Sequence, residues 1–256
     1  LLERTFVHIP GVGAQTERAL WSAGCHSWSD LLGGLDRFSC GTASQGDVSA
    51  HLNRSQDALA SGHHQFFSRS LGMAEAWRAW PEFRDRCVYL DIETDGGQSG
   101  AAITTIGMYD GDGFTGLVRD VDLGNFPDLI SQYSMVVTFF GASFDLPMLR
   151  KRFSSLHFDQ IHLDLCPTLK RLGLRGGLKS IEKQLGLSRG EDTDGLTGLD
   201  AIRLWRQHQR GHQTALQTLL AYNREDVVNL ETLTEYAYDK LKAASFDAAT
   251  RPIPIR

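Results

Sequence analysis

The sequence predicts an α/β protein in which a mixed β-sheet flanked by helices follows a small N-terminal helical domain. Three observations carry this. The hydrophobic period changes near residues 81–86, from helical spacing to short β-rich runs. The elements beyond that point follow the order β-β-β-α-β-α, which suits a mixed sheet covered by helices. A long helical tract then occupies most of the remaining chain. At 256 residues, with 41% hydrophobic and 22% charged residues, the chain can bury a substantial core.

In chain order, residues from about Thr5 to Leu32 read as a small helical unit. Ile9-Pro10-Gly11-Val12-Gly13 forms a turn, Thr16 to Ala23 has helical spacing, Gly24 suits a helix C-terminus, and Trp28, Leu31 and Leu32 supply a second apolar face. Gly33 to about Ser61 is rich in Ser, Gly and Asp. Phe66, Phe67, Leu71, Met73, Ala76, Trp77 and Trp80 restore a helix-like pattern. The boundary between residues 1–80 and a larger domain, 86–256, is placed at Pro81 to Arg86. Cys87 to Glu93 is then a strand. Ala102 to Tyr109 and Phe114 to Val118 form a hairpin about Asp110-Gly111-Asp112-Gly113. A short helix at Pro127 to Tyr133 leads to a strand at Met135 to Phe140 and a helix holding Leu146, Met148 and Leu149. Ile161 to Leu165 is a further strand, and helices are expected at Leu178 to Leu185, Leu199 to Gln209 and Gln213 to Lys242.

A net charge of −5 and a pI near 6.0 exclude a surface uniformly coated in basic residues, while leaving room for a local basic groove. Cys25, Cys40, Cys87 and Cys166 are scattered, without Cys-x-x-Cys or close Cys/His grouping, so a reduced, cytoplasmic setting is expected. No apolar run approaches the roughly 20 residues that span a bilayer, and the first residues lack the basic-then-apolar order of a secretion signal.

Chemistry concentrates at three places. Side chains two apart on a strand share a face, so Asp91 and Glu93 present their carboxylates together while Leu90 and Ile92 face away. Paired hard oxygen ligands at a strand end suit Mg²⁺ or Mn²⁺. In Thr138-Phe139-Phe140-Gly141-Ala142-Ser143-Phe144-Asp145 a buried strand ends in a turn of small residues and delivers Asp145 to the start of a helix, where capping is the competing role. In Tyr222-Asn223-Arg224-Glu225-Asp226, the four-residue spacing puts Tyr222 and Asp226 on one helix face.

Together these segments resemble the three motifs of the DEDD superfamily of 3′–5′ exonucleases, and the tyrosine of the third resembles its DEDDy subgroup. The resemblance runs from about Cys87 to Tyr236. It includes a match of Ile161 to Leu165 and Gly177-Leu178-Lys179-Ser180-Ile181 to the middle of YprB-type exonuclease domains of ribonuclease-H-like fold. It implies Asp91, Glu93, Asp145 and Asp226 as ligands of two Mg²⁺ or Mn²⁺ ions, Tyr222 as the residue orienting the attacking water, and hydrolysis from a single-stranded 3′ end of DNA or RNA. Gly141 stands where many family members carry asparagine. The rival functions are a catalytically silent nucleic-acid-binding or scaffold protein and an endonuclease on the same kind of sheet.

Basic residues are in excess between Arg150 and Arg189, including Arg150, Lys151 and Lys179, which suits either a groove that tracks nucleic-acid phosphates or an ordinary solvated helix face. Pro10 to Leu20 resembles the second half of a helix–hairpin–helix unit. Gly11 and Gly13 would there let backbone amides approach a phosphate, and docking to a protein partner is the alternative use. Asp164 is read as a helix cap, His162 as structural, Asp95 as a turn residue, and Glu225 as a solvated side chain. His63-His64 is read as a surface pair, and Trp28, Trp77 and Trp80 as core.

Overall fold

The computed structural model describes residues 1–251. The N-terminal part is helical, with a 3-10 turn at Leu2–Arg4, then α1 (Ala14–Ser22), α2 (Trp28–Leu32), α3 (Gln45–Ala60) and α4 (His64–Ser70). A 3-10 stretch, Met73–Ala79, leads into α5 (Trp80–Phe83). Then come β1 (Cys87–Thr94), β2 (Ile103–Tyr109), β3 (Phe114–Val118), α6 (Phe126–Ile130), β4 (Met135–Thr138), α7 (Asp145–Arg152) and β5 (Ile161–Asp164). Four further helices follow: α8 (Leu165–Arg171), α9 (Leu178–Gln184), α10 (Gly198–Gln209) and α11 (Gln213–Lys242), the last passing into a π-helical turn at Ala243–Asp247. No described helix is long and apolar enough to cross a membrane.

The five strands form one sheet in the order β3-β2-β1-β4-β5. β1 is central, antiparallel to β2 and parallel to β4, so the expected mixed sheet is present. The two faces of β1 enter different cores. Val88, Leu90 and Ile92 pack with Phe126, Leu146 and Leu149 from α6 and α7. Cys87 and Tyr89 join a cluster that includes Val227, Leu230 and Leu233 of α11 and extends to Trp21, Trp28, Trp77 and Trp80 in the N-terminal region. Strand alternation therefore aims Asp91 and Glu93, two and four residues beyond Tyr89, at the α11 side.

A buried ion pair also ties the N-terminal unit down. Glu17 on α1 is 1% exposed, accepts hydrogen bonds from the Phe6 and Val7 amides, and pairs with Arg78 at 2.9 Å. The Arg78 guanidinium lies over the Trp21 and Trp77 rings, so the pair is enclosed by aromatic surface.

Three segments depart from the sequence expectation. The Ser/Gly/Asp-rich tract contains α3, capped by the Ser44 side chain on the Asp47 amide. Its buried stripe of Val48, His51, Leu52, Ser55 and Ala58 has helical spacing but few large apolar members. The single helical pattern from Phe66 to Trp80 is broken at Leu71 and Gly72, both extended. The fourth strand stops at Thr138 rather than Phe140, because Phe140 turns into the left-handed region (φ 66°).

Candidate active site

Packing of α11 against β1 and β2 brings two of the motifs together. Tyr222 and Asp226 are 5% and 6% exposed, and they sit one turn apart on the face of α11 that meets the sheet. Carboxylate oxygens of Asp91, Glu93 and Asp226 lie within 4.8 Å of one another. Asp145, the first residue of α7, is buried beside this trio without belonging to it. Its Oδ1 accepts from the Ile92 amide at 3.1 Å, between Asp91 and Glu93 along β1. The second motif is thereby bonded to the backbone of the first.

Four carboxyls in one partly buried place resist ionisation. Burial raises Asp91 well above the ordinary range, and the charges of Asp226, Asp145 and Glu93 raise it further. Burial and then Asp226 and Asp145 raise Glu93 in the same way. Burial pushes Asp145 up to about 7 against the opposing Ile92 amide, and Asp226 up to about 6 against the nearby Arg189.

Several neighbours not singled out in the sequence, or given another role there, complete the arrangement. Asn223, fully buried, donates Nδ2 to Asp91 Oδ2 at 2.8 Å. It fits because Gly107, paired with Asp91 across β1 and β2, has no side chain: a Cβ there would fall 2.4 Å from Asn223 Oδ1. Arg189 donates to Asp226 Oδ1 at 2.5 Å and forks onto Glu182, itself 2% exposed and held by Asn229. Lys179 donates to the Tyr222 hydroxyl at 2.9 Å, with its ammonium 4.2 Å from the ring centroid. The site opens through a cleft of about 350 Å³ that Phe139, Lys179 and Thr197 also line.

The residue range 88–238 matches the model of the RNase_H superfamily. The chain belongs to the RNase_H superfamily. No curated protein matches the sequence. Among solved structures, the family B DNA polymerase from the hyperthermophilic archaeon Pyrobaculum calidifontis is similar in fold. The TM-score is 0.52 at 15% identity, covering 65% of this chain and 27% of that one. The chain thus spans about a quarter of the polymerase, and the likeness concerns the fold of the superfamily domain alone.

The basic residues anticipated between Arg150 and Arg189 do not share one groove. Lys179 lies in the cleft, Arg189 is turned inward, Arg150 covers the Phe158 ring, and Lys151 reaches the Gln98 carbonyl. At the N-terminal turn, Gly11 has φ 86° and presses against the segment Thr42–Ala43, while Gly13 is the N-cap of α1. The helix preceding this turn is only the short Leu2–Arg4 3-10 turn.

Asp164 caps α8 at the Cys166 amide and also accepts from the amides of Phe140 and Ala142. His162 contacts Thr138, and burial lowers its pKa to about 4. Asp95 accepts from the Gly97 amide and pairs with Arg119. Glu225, expected in solvent, instead accepts from the Gly190 amide and the Thr193 hydroxyl, anchoring the loop that delivers Arg189. His64 of the expected surface pair is buried and faces Asp159. Position 141 admits no side chain, since a Cβ would meet Thr138 Oγ1 at 2.2 Å. The left-handed residue of this turn is Phe140.

Proposed function

We propose that the protein is a metal-dependent 3′–5′ exonuclease acting on single-stranded ends of DNA or RNA. The observation carrying this reading is the convergence of Asp91, Glu93 and Asp226, with Asp145 alongside, at the base of an open cleft. The donor set fits hard divalent cations. It is all oxygen, it is destabilised by its own charge, and Glu93 accepts no hydrogen bond among the described residues. Asp91, Glu93, Asp145 and Asp226 would hold two Mg²⁺ or Mn²⁺ ions. Such a pair supplies activation of the attacking water and stabilisation of the leaving oxygen in phosphodiester hydrolysis.

The remaining roles belong to the chain itself. Burial raises the Tyr222 hydroxyl, so at neutral pH it is protonated and positions rather than deprotonates. Lys179 occupies a lone pair of that oxygen, which leaves its proton free to point at a water or phosphate oxygen. Asn223 fixes the carboxylate plane of Asp91, and Arg189 fixes that of Asp226. The 3′–5′ direction rests on the resemblance of the tyrosine-bearing third motif. The N-terminal hairpin, with its Gly11 turn, is proposed to bind the nucleic-acid backbone and residues 86–256 to carry the chemistry.

The test is hydrolysis of DNA and RNA single strands labelled at either end, with Mg²⁺ or Mn²⁺. Mononucleotides should be released from the 3′ end, and Asp91→Asn or Asp226→Asn should nearly abolish release. Cleavage surviving excess chelator, or undiminished in folded Asp91→Asn protein, removes the proposal.

A further inference from the structure

Apart from the carboxylate cleft, a second groove of about 430 Å³ is lined by Met73, Phe140, Ala142, Pro167, Lys170 and Arg171 among others. Among the described residues, four large apolar side chains are exposed, and two of them, Met73 (65%) and Phe140 (53%), lie in this one groove. Phe140 stacks on no other ring of the described residues, and its backbone is left-handed, a conformation costly for a bulky residue. The turn is held there by Asp164, whose carboxylate accepts the amides of Phe140 and Ala142 at 2.8 and 3.1 Å, while the Phe140 carbonyl accepts from Ser143 and Phe144. A buried carboxylate thus keeps an aromatic ring out in water. The preceding residue, Phe139, lines the carboxylate cleft.

We propose that Phe140 is a stacking platform for one unpaired nucleobase of the bound strand, with Lys170 meeting the adjoining phosphate. This deepens the nuclease reading and rests on it. The occupant follows from chemistry. A flat apolar face beside an exposed ammonium complements a nucleotide, which offers a π-face and a phosphate. Arg171 is already engaged with the Ala74 carbonyl and Glu75, which leaves Lys170 as the cation of the groove without a described partner.

The experiment uses the full chain without added divalent metal and oligodeoxynucleotides carrying 2-aminopurine at successive positions from the 3′ end. Fluorescence at one position should change on binding to the wild type, and an abasic residue at that position should weaken binding. Phe140→Leu should weaken binding by about 5- to 150-fold, the range of base–aromatic stacking. In that variant the abasic penalty should vanish. Phe140→Gly separates this role from a structural one: relief of the left-handed strain raises its melting temperature while its affinity falls. Wild-type affinity in both variants, or an abasic penalty that persists in Phe140→Leu, overturns the subsite while leaving the nuclease reading standing. A wild-type protein that binds no single strand overturns both.

Discussion

Asn223 supports the candidate metal site without being one of its ligands, and the strength of that support can be predicted. Asn223→Ala removes the 2.8 Å bond to Asp91 and leaves a half-buried carboxylate without its one neutral donor. A hydrogen bond to a charged group contributes about 1.5–3 kcal/mol, equivalent to roughly 10- to 150-fold in an equilibrium. Loss of a hydrogen-bonding partner behind a metal ligand typically weakens affinity by about 10- to 100-fold. The expected result is therefore a 10- to 100-fold rise in the Mn²⁺ dissociation constant, measured calorimetrically, and a matching rise in the metal concentration needed for cleavage. Gly107→Ala should do the same from the other side, since its Cβ would fall 2.4 Å from Asn223 Oδ1 and force the amide away. Because both changes act through one contact, the double variant should lose less than the sum of the two. Wild-type metal affinity in a folded Asn223→Ala protein, or full additivity of the pair, refutes the reasoning.

Protonation should set both stability and metal uptake. Burial pushes the Asp145 and Asp226 carboxyls up to about 7 and about 6, above the ordinary carboxylate range, so the folded chain holds protons that the unfolded chain releases. The stability this contributes to the metal-free protein is complete below about pH 4 and lost as pH rises through 6 and 7, while stabilisation by added Mg²⁺ grows over the same window. Thermal melts with and without metal from pH 5 to 8 should show these opposite slopes, and parallel slopes would count against the cluster. Tyr222→Phe should retain metal affinity but slow single-turnover cleavage, whereas an affinity loss equal to that of Asp226→Asn would remove its positioning role. Arg78→Ala strands Glu17 in an apolar enclosure and should cost about 3–5 kcal/mol, seen as a melting temperature lower by roughly 10 °C. Cleavage per folded molecule should be unchanged.

Much of the site was legible because it obeys two periods. The strand period of two placed Asp91 and Glu93 together, and the four-residue helix spacing did so for Tyr222 and Asp226. The bounds expected for the last long helix, Gln213 to Lys242, are those found. Asn223 escaped notice because attention to positions one turn apart skips the residue between them, yet a side chain one step from Tyr222 still reaches the sheet where Gly107 opens space. That glycine was the available signal, since glycine inside a strand often marks close approach. Arg189 and Glu225 lay beyond sequence reasoning. Their roles depend on a long-range loop contact between residues 190–193 and α11, which no local period encodes. The helix α3 was hard to read because its buried face includes His51, Ser55 and Ala58 rather than a run of large aliphatic residues.

At 30 residues, α11 is about 45 Å long, and both halves of the protein are mounted on it. Its Tyr222, Asn223 and Asp226 face the sheet, while Tyr238, three turns or about 18 Å further on, packs against Trp77 and Trp80 at ring separations of 6.0 and 5.8 Å. A flexible tether would let the N-terminal unit roam relative to the cleft, and the spacing between a grip on the strand and the point of cutting would vary from event to event. A continuous helix makes that spacing a constant of the molecule. On the proposed reading, in which the hairpin binds the strand and the carboxylates cut it, the protein would work as a caliper with a fixed opening. On that reading, a strand too short to span from the hairpin to the carboxylates would engage only one of them.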